Sequence, residues 1–305
     1  ILNGLIAFFI FKIGKITENK TLGSWSAIAY ITLPGVFYSS LLINTDPILL
    51  FFWSVSTYYF LRAMKLGKLK YFLISSIAVG LGLLSKYTMI LFIPFALLYW
   101  LILEKNLKKL LANNNFYFFI LIPIIIYSPN LLWNLKNSFV TYLHVKDISG
   151  VEKNLIKPDE FIQFFLSQFL IMGPLLMIYF LYCSRKIYEI RSDRNLLFLY
   201  ISSVPILIIF LILAFISNAN GNWAAFIYIP ATIMTVYFLL KEGKKLFLFI
   251  AILSNTIIGL FLYNYENFIN YLSIFMPEYI SSKTIDQTIG KFKGWQELGD
   301  IVESY

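Results

Sequence analysis

All 25 Lys and Arg and all 16 Asp and Glu of this chain fall outside its long apolar runs. Ten such runs can be read: Ile1 to Phe11, Ser24 to Ile43, Pro47 to Leu61, Tyr71 to Leu84, Thr88 to Leu103, Phe116 to Leu132, Phe161 to Cys183, Leu196 to Ile216, Ala224 to Leu240 and Leu246 to Tyr263. A hydrocarbon core about 30 Å thick tolerates backbone only where every polar group is bonded internally, so uncharged runs of this length predict membrane helices. With 59% hydrophobic residues, 13% charged and a mean hydropathy of +0.74, a water-soluble domain is excluded as the main architecture. The expected class is all-α, a polytopic helical protein with about ten membrane segments.

Two short runs, Tyr71 to Leu84 and Thr88 to Leu103, invite fusion into one helix. Fused, they would reach roughly 50 Å at about 1.5 Å per residue, with Lys86 near the middle at a cost of about 3 kcal/mol. The sequence therefore predicts a helical hairpin turning at Ser85, Lys86 and Tyr87.

Alternate connections differ in charge. The stretches 12–20, 62–70, 104–109, 185–194 and 241–245 hold seventeen basic and five acidic residues, whereas 44–46, 85–87, 130–160, 217–223 and the tail from Asn264 hold eight and eleven. The basic set is expected in the cytoplasm and the other set outside. The net charge of +9 is then an orientation signal and implies no nucleic-acid partner. The chain divides into a membrane domain, residues 1–263, carrying the outer loop 130–160, and an extracytoplasmic tail, residues 264–305. In the tail, Trp295, Leu298, Ile301 and Val302 recur at helical spacing. Cys183, the only cysteine, reads as a small apolar residue at a helix end. By the charge rule the first run travels inward, so an earlier crossing is expected upstream of Ile1.

The outward connections hold the unusual polar residues. Asp46 precedes Pro47 at a helix start, where it suits either a helix cap or a positioning group. Lys86 is the only charge in its turn and suits either a contact to phosphate or a lysine snorkelling from a helix end. His144, the only histidine, lies in the long outer loop, with a pKa range fit for proton transfer. Asp46, Asp147 and Glu152 leave a divalent metal open, although no ligand spacing demands one. Asn130, Trp133 and Asn134, like Asn220, Asn222 and Trp223, set amides beside indoles, a pairing suited to sugars or to an interfacial aromatic belt. Candidate catalytic residues are thus Asp46 and His144. Candidate binding residues are Lys86, Tyr87, Asn130, Trp133, Asn134, Asn220, Asn222 and Trp223.

Thr45-Asp46-Pro47, Gly80-Leu81-Gly82-Leu83-Leu84-Ser85-Lys86-Tyr87-Thr88, Pro129-Asn130-Leu131-Leu132-Trp133-Asn134, Asn222-Trp223-Ala224-Ala225 and Lys293-Gly294-Trp295-Gln296-Glu297-Leu298 recur in one order along the chain. In that order they resemble bacterial membrane glycosyltransferases of the GT-C fold, related to protein mannosyltransferases and lipid A aminoarabinose transferase. The resemblance implies transfer of a sugar from a polyprenyl-phosphate carrier to a lipid, glycan or protein acceptor on the outer face of the inner membrane. It also implies an acidic base in the first outward loop, upstream of Ile1. The competing class is a transporter or lipid flippase built on helices broken at Pro34-Gly35 and Gly173-Pro174. Against it, no ionisable residue falls at mid-membrane depth in the runs above.

Overall fold

The computed structural model describes residues 1–42, 44–149, 156–264, 299 and 301–303. Those residues form helices and connections without a strand. In chain order the helices are α1 (Leu2–Thr17), α2 (Lys20–Ile31), α3 (Pro34–Ser40), α4 (Asp46–Leu66), α5 (Leu69–Ser85), α6 (Phe92–Glu104), α7 (Leu107–Leu111) and α8 (Asn114–Lys136). They continue as α9 (Val140–Ser149), α10 (Pro158–Met172), α11 (Pro174–Cys183), α12 (Ile187–Ser192), α13 (Arg194–Ile201), α14 (Val204–Ile216), α15 (Tyr228–Lys241) and α16 (Lys245–Tyr263). Two 3₁₀ segments, Tyr87–Leu91 and Gly221–Ile227, lead into α6 and α15.

The all-α polytopic class is observed. Among the described residues, five helical stretches can cross a bilayer by length and composition: Tyr87–Glu104, Asn114–Lys136, Arg194–Ile216, Gly221–Lys241 and Lys245–Tyr263. The pair α10 and α11 is a sixth if counted as one span. The other expected segments are helical but shorter or more polar by that measure, so the structure does not establish the figure of ten. The expected hairpin at Ser85, Lys86 and Tyr87 is present, with Lys86 in extended conformation (φ −158°, ψ 134°) between α5 and the following 3₁₀ turn.

Two expected single spans are broken. Ser24 to Ile43 divides at Thr32 and Leu33 before Pro34, and Phe161 to Cys183 bends by 105°. The second break has a local cause. Gly173 takes φ +87°, a region that penalises any side chain, and Pro174 removes the next amide donor. Asn255 of α16 fills the corner, its Nδ2 donating to the Met172 carbonyl at 3.2 Å. A Cβ added at Gly173 would lie 1.8 Å from Asn255 Oδ1.

Lipid is as apolar as the side chains, so helices here associate by close packing and a few internal hydrogen bonds. Gly14 and Gly23 allow α1 and α2 to touch, since a Cβ on Gly14 would come 2.7 Å from Gly23 Cα. Ser75 Oγ of α5 donates to the Ser56 carbonyl of α4 at 3.0 Å, a type of bond that averages about 0.6 kcal/mol between membrane helices. The interior is aromatic. Phe60 of α4 meets Phe119 and Phe198 at 5.2 Å each, and Trp53 meets Phe226 at 4.2 Å. That last pair fixes the start of α4 against the 3₁₀ segment before α15. Of the tail, Ile301 and Val302 are described, both exposed, whereas Trp295 and Leu298 lie outside the described residues.

Candidate functional site

Residues from three distant parts of the chain meet at one end of the bundle. Asp46 is the first residue of α4, followed by Pro47, and its amide donates to Asn44 Oδ1 at 3.1 Å. Its carboxylate sits at a helix N-terminus, where the backbone dipole favours negative charge. Lys86 Nζ donates to Asp46 Oδ1 at 2.5 Å, and Asn222 Nδ2 donates to Oδ2 at 2.6 Å. Asp46 is 6% exposed, so this small charged group is largely withdrawn from water. Lys86 reaches it because the chain leaves the helix there: Ser85 Oγ and the Lys86 amide both turn back to the Gly82 carbonyl.

The group lies at the seam of two cavities. The first, about 460 Å³, is lined by Tyr30, Tyr38, Asn44, Asp46, Asn222 and Tyr228, and Gly35 contributes its wall. A Cβ on Gly35 would approach Ile171 Cγ2 to 2.6 Å, so a glycine lets α3 close against α10. The second cavity, about 500 Å³, is lined by Lys86, Tyr87, Thr88, Asn130, Trp223 and several aliphatic and aromatic groups, among them Leu83, Leu84 and Phe210. Asn220 borders both. Each cavity has an unused polar group in its wall: the buried hydroxyls of Tyr30 and Thr88 make no hydrogen bond.

Gln168 supports this arrangement from behind. It is fully buried on α10, donates to the Gly221 carbonyl at 3.3 Å and to Ser167 Oγ at 2.9 Å, and accepts from the Tyr228 hydroxyl. It thereby braces the backbone one residue from Asn222.

Of the residues expected from sequence, Asp46, Lys86 and Asn222 are brought into direct contact, and Tyr87, Asn130, Asn220 and Trp223 line the cavities. Asn134 is buried one turn from Asn130, to whose Oδ1 it donates at 3.0 Å. Trp133 is 52% exposed and lines neither cavity. His144 is exposed on α9 and borders neither cavity, although its neighbour Val145 borders the second. The same helix is tied to the site by Tyr142, which stacks on Tyr87 at 5.3 Å. Among the described residues no cluster of three or more His, Cys, Asp or Glu is placed to hold a metal ion. Asp147 is exposed, and Glu152 lies outside the described residues. Sequence reading missed Tyr30, Tyr228 and Gln168. Gln168 carried a usable signal, as one of two glutamines within the uncharged run Phe161 to Cys183.

Residues 1–133, which include Asp46 and Lys86, match the family model of dolichyl-phosphate-mannose-protein mannosyltransferases. Over 239 residues the chain is 28% identical to the lipid A galacturonosyltransferase RgtD of Rhizobium johnstonii, an alignment covering 78% of this chain and 50% of that protein. The chain thus spans about half the length of the curated relative it matches. No solved structure matches significantly. Both matches are to proteins named as sugar transferases, the class the sequence motifs resemble.

Proposed function

We propose that the chain transfers a sugar from a polyprenyl-phosphate carrier to an acceptor hydroxyl on the outer face of the inner membrane, with Asp46, Lys86 and Asn222 at the point of transfer. The observation that carries this reading is the Lys86 ammonium, held on Asp46 at the seam of a cavity of mixed polar and apolar lining and a more strongly apolar one. An ammonium has three N–H donors. One is committed to Asp46, and the others suit a phosphate whose prenyl chain follows the apolar wall of the second cavity. The mixed cavity, with its amides and tyrosine hydroxyls, suits the acceptor.

The reaction is a displacement at the anomeric carbon. The acceptor oxygen attacks that carbon, the bond from it to the phosphate oxygen breaks, and the electron pair leaves with polyprenyl phosphate. Lys86 stabilises the charge that develops on the departing phosphate. The acceptor proton passes to a carboxylate acting as general base. Asp46 has both oxygens engaged by donors, which suits it to positioning Lys86 and Asn222. RgtD is named for lipid A as acceptor, so a lipid-anchored saccharide is the acceptor class proposed first. The break at Leu33, which would also suit a carrier, lies in the wall of the first cavity here.

The test uses the full-length protein in proteoliposomes with a polyprenyl-phosphate sugar and a lipid-anchored saccharide. Release of polyprenyl phosphate matched by sugar on the acceptor is expected. Movement of the intact donor across the bilayer without release would overturn the proposal in favour of a carrier.

A further inference from the structure

At the opposite end of α4, Arg62 lies sixteen residues from Asp46, about 24 Å along the axis at about 1.5 Å per residue. There α1, α4 and α5 converge and present three cations, Lys12, Arg62 and Lys70, around three tyrosines. Lys12 Nζ stands 5.3 Å from the Tyr58 ring centre and Arg62 Cζ stands 6.0 Å from the same ring. Arg62 and Lys70 stand 5.0 and 5.1 Å from the Tyr71 ring, which stacks on Tyr59. Arg62 also donates to the Tyr71 hydroxyl at 2.9 Å.

None of the three cations has a carboxylate partner among the described residues. This sets them apart from the other basic group at the same end of the bundle. There Glu242 takes Lys186 and Lys244, and Glu189 takes Lys241. In one patch every named lysine is paired with one of the protein's own carboxylates. The other sets its cations against ring faces and one tyrosine hydroxyl, each ring contact contributing about 0.5–1 kcal/mol at exposed sites and leaving the charge uncancelled. Both patches lie where the helices emerge, and a basic pocket between membrane helices at headgroup depth binds anionic lipid heads.

We propose that Lys12, Arg62 and Lys70 form a binding site for the phosphate of an anionic phospholipid in the leaflet opposite the Asp46 site. Tyr58 and Tyr71 each carry two of the cations on one ring, and Tyr59 stacks on Tyr71. A snorkelling role alone would place each cation independently, whereas here two rings are each shared by two cations.

The full-length protein reconstituted in nanodiscs of phosphatidylcholine, with and without phosphatidylglycerol, tests this by native mass spectrometry of retained lipid and by Tm. Wild type is expected to retain phosphatidylglycerol and to gain Tm from it. The triple variant Lys12→Gln, Arg62→Gln, Lys70→Gln is expected to lose retention by about fivefold per cation, the factor that corresponds to about 1 kcal/mol for each basic residue near the surface. Should that variant not fold, Lys70→Gln alone, at an exposed position, is expected to show about a fivefold loss. The control Lys105→Gln, Lys108→Gln, Lys109→Gln removes equal charge from another basic connection and is expected to retain the lipid. Equal loss in the control, no preference for phosphatidylglycerol in wild type, or the same Tm gain from inorganic phosphate alone each overturns the lipid site. The three cations border neither cavity, so Lys86→Gln keeps the lipid preference and failure here leaves the transferase reading standing.

Discussion

Two charged clusters occupy opposite ends of the bundle and are built to different rules. Around Asp46 a single carboxylate, 6% exposed, holds one ammonium and one amide where two cavities meet. Around Glu242, two carboxylates share three lysines and the Tyr179 hydroxyl, which donates at 2.7 Å. The residues of that second cluster border neither cavity. At Asp46 the carboxylate is withdrawn from water and its donors are few, which is the condition for stabilising a substrate charge. At Glu242 the pairs are more numerous and wetter, and they tie the 185–194 connection to the 241–245 connection. The difference teaches that charge at a helix end is informative about function only together with what it faces.

The sharpest way to break this contrast is to exchange the consequences of mutation. Asp46→Asn is expected to lower kcat of the full-length enzyme by roughly 10²-fold or more, within the range of positioned polar groups in transfer reactions. A loss below threefold would show that the Asp46 seam is structural. Asn222→Ala removes one hydrogen bond to a charged partner and is expected to cost about tenfold in kcat/KM, since such bonds contribute about 1.5–3 kcal/mol. A double-mutant cycle with Asp46→Asn should then show the two effects to be strongly non-additive.

The opposite end should respond to pH instead. Burial pushes the Glu242 carboxyl up, but hydrogen bonds from Lys186, Lys244 and Tyr179 prevail and hold it at about 2, below the ordinary 4.5. A carboxylate with a depressed folded-state pKa contributes stability that is fully present above its unfolded value and lost as pH falls through the folded one. Wild type is therefore expected to lose more Tm than Glu242→Gln between pH 4.5 and about 2, while transfer activity near neutral pH stays within about twofold. Parallel Tm profiles for the two proteins would remove the proposed role of the network. The smallest effect is expected at His144. It is exposed and borders neither cavity, so His144→Ala should retain transfer within about threefold in the same assay, by the usual smallness of surface substitutions.

Much of this was legible because lipid imposes a severe filter. The placement of Lys86 outside a helix followed from the cost of charge in hydrocarbon, and the structure finds it in an extended turn between α5 and the next 3₁₀ segment. The stretches grouped by charge are also grouped in space: 46, 86 and 222 meet at one end, and 186, 189, 241, 242 and 244 at the other. What sequence reading could not supply was pairing. Asp46 and Lys86 are forty positions apart and carry no pattern that foretells an ion pair. The bend at Gly173 was legible only as a glycine before a proline, because hydropathy is blind to direction and Phe161 to Cys183 is uncharged throughout. Tyr30 and Tyr228 look like two more aromatics among 21 tyrosines until the cavity they border is seen.

The central claim, that Lys86 on its Asp46 anchor receives the carrier phosphate, is tested most directly by binding. Polyprenyl phosphate affinity of the full-length protein in nanodiscs is measured for wild type and Lys86→Gln at equal folded fraction. A loss of at least tenfold is expected, the lower limit for removing a charged hydrogen-bond donor from a phosphate. Unchanged affinity with unchanged transfer would contradict the account and leave Lys86 as a structural partner of Asp46.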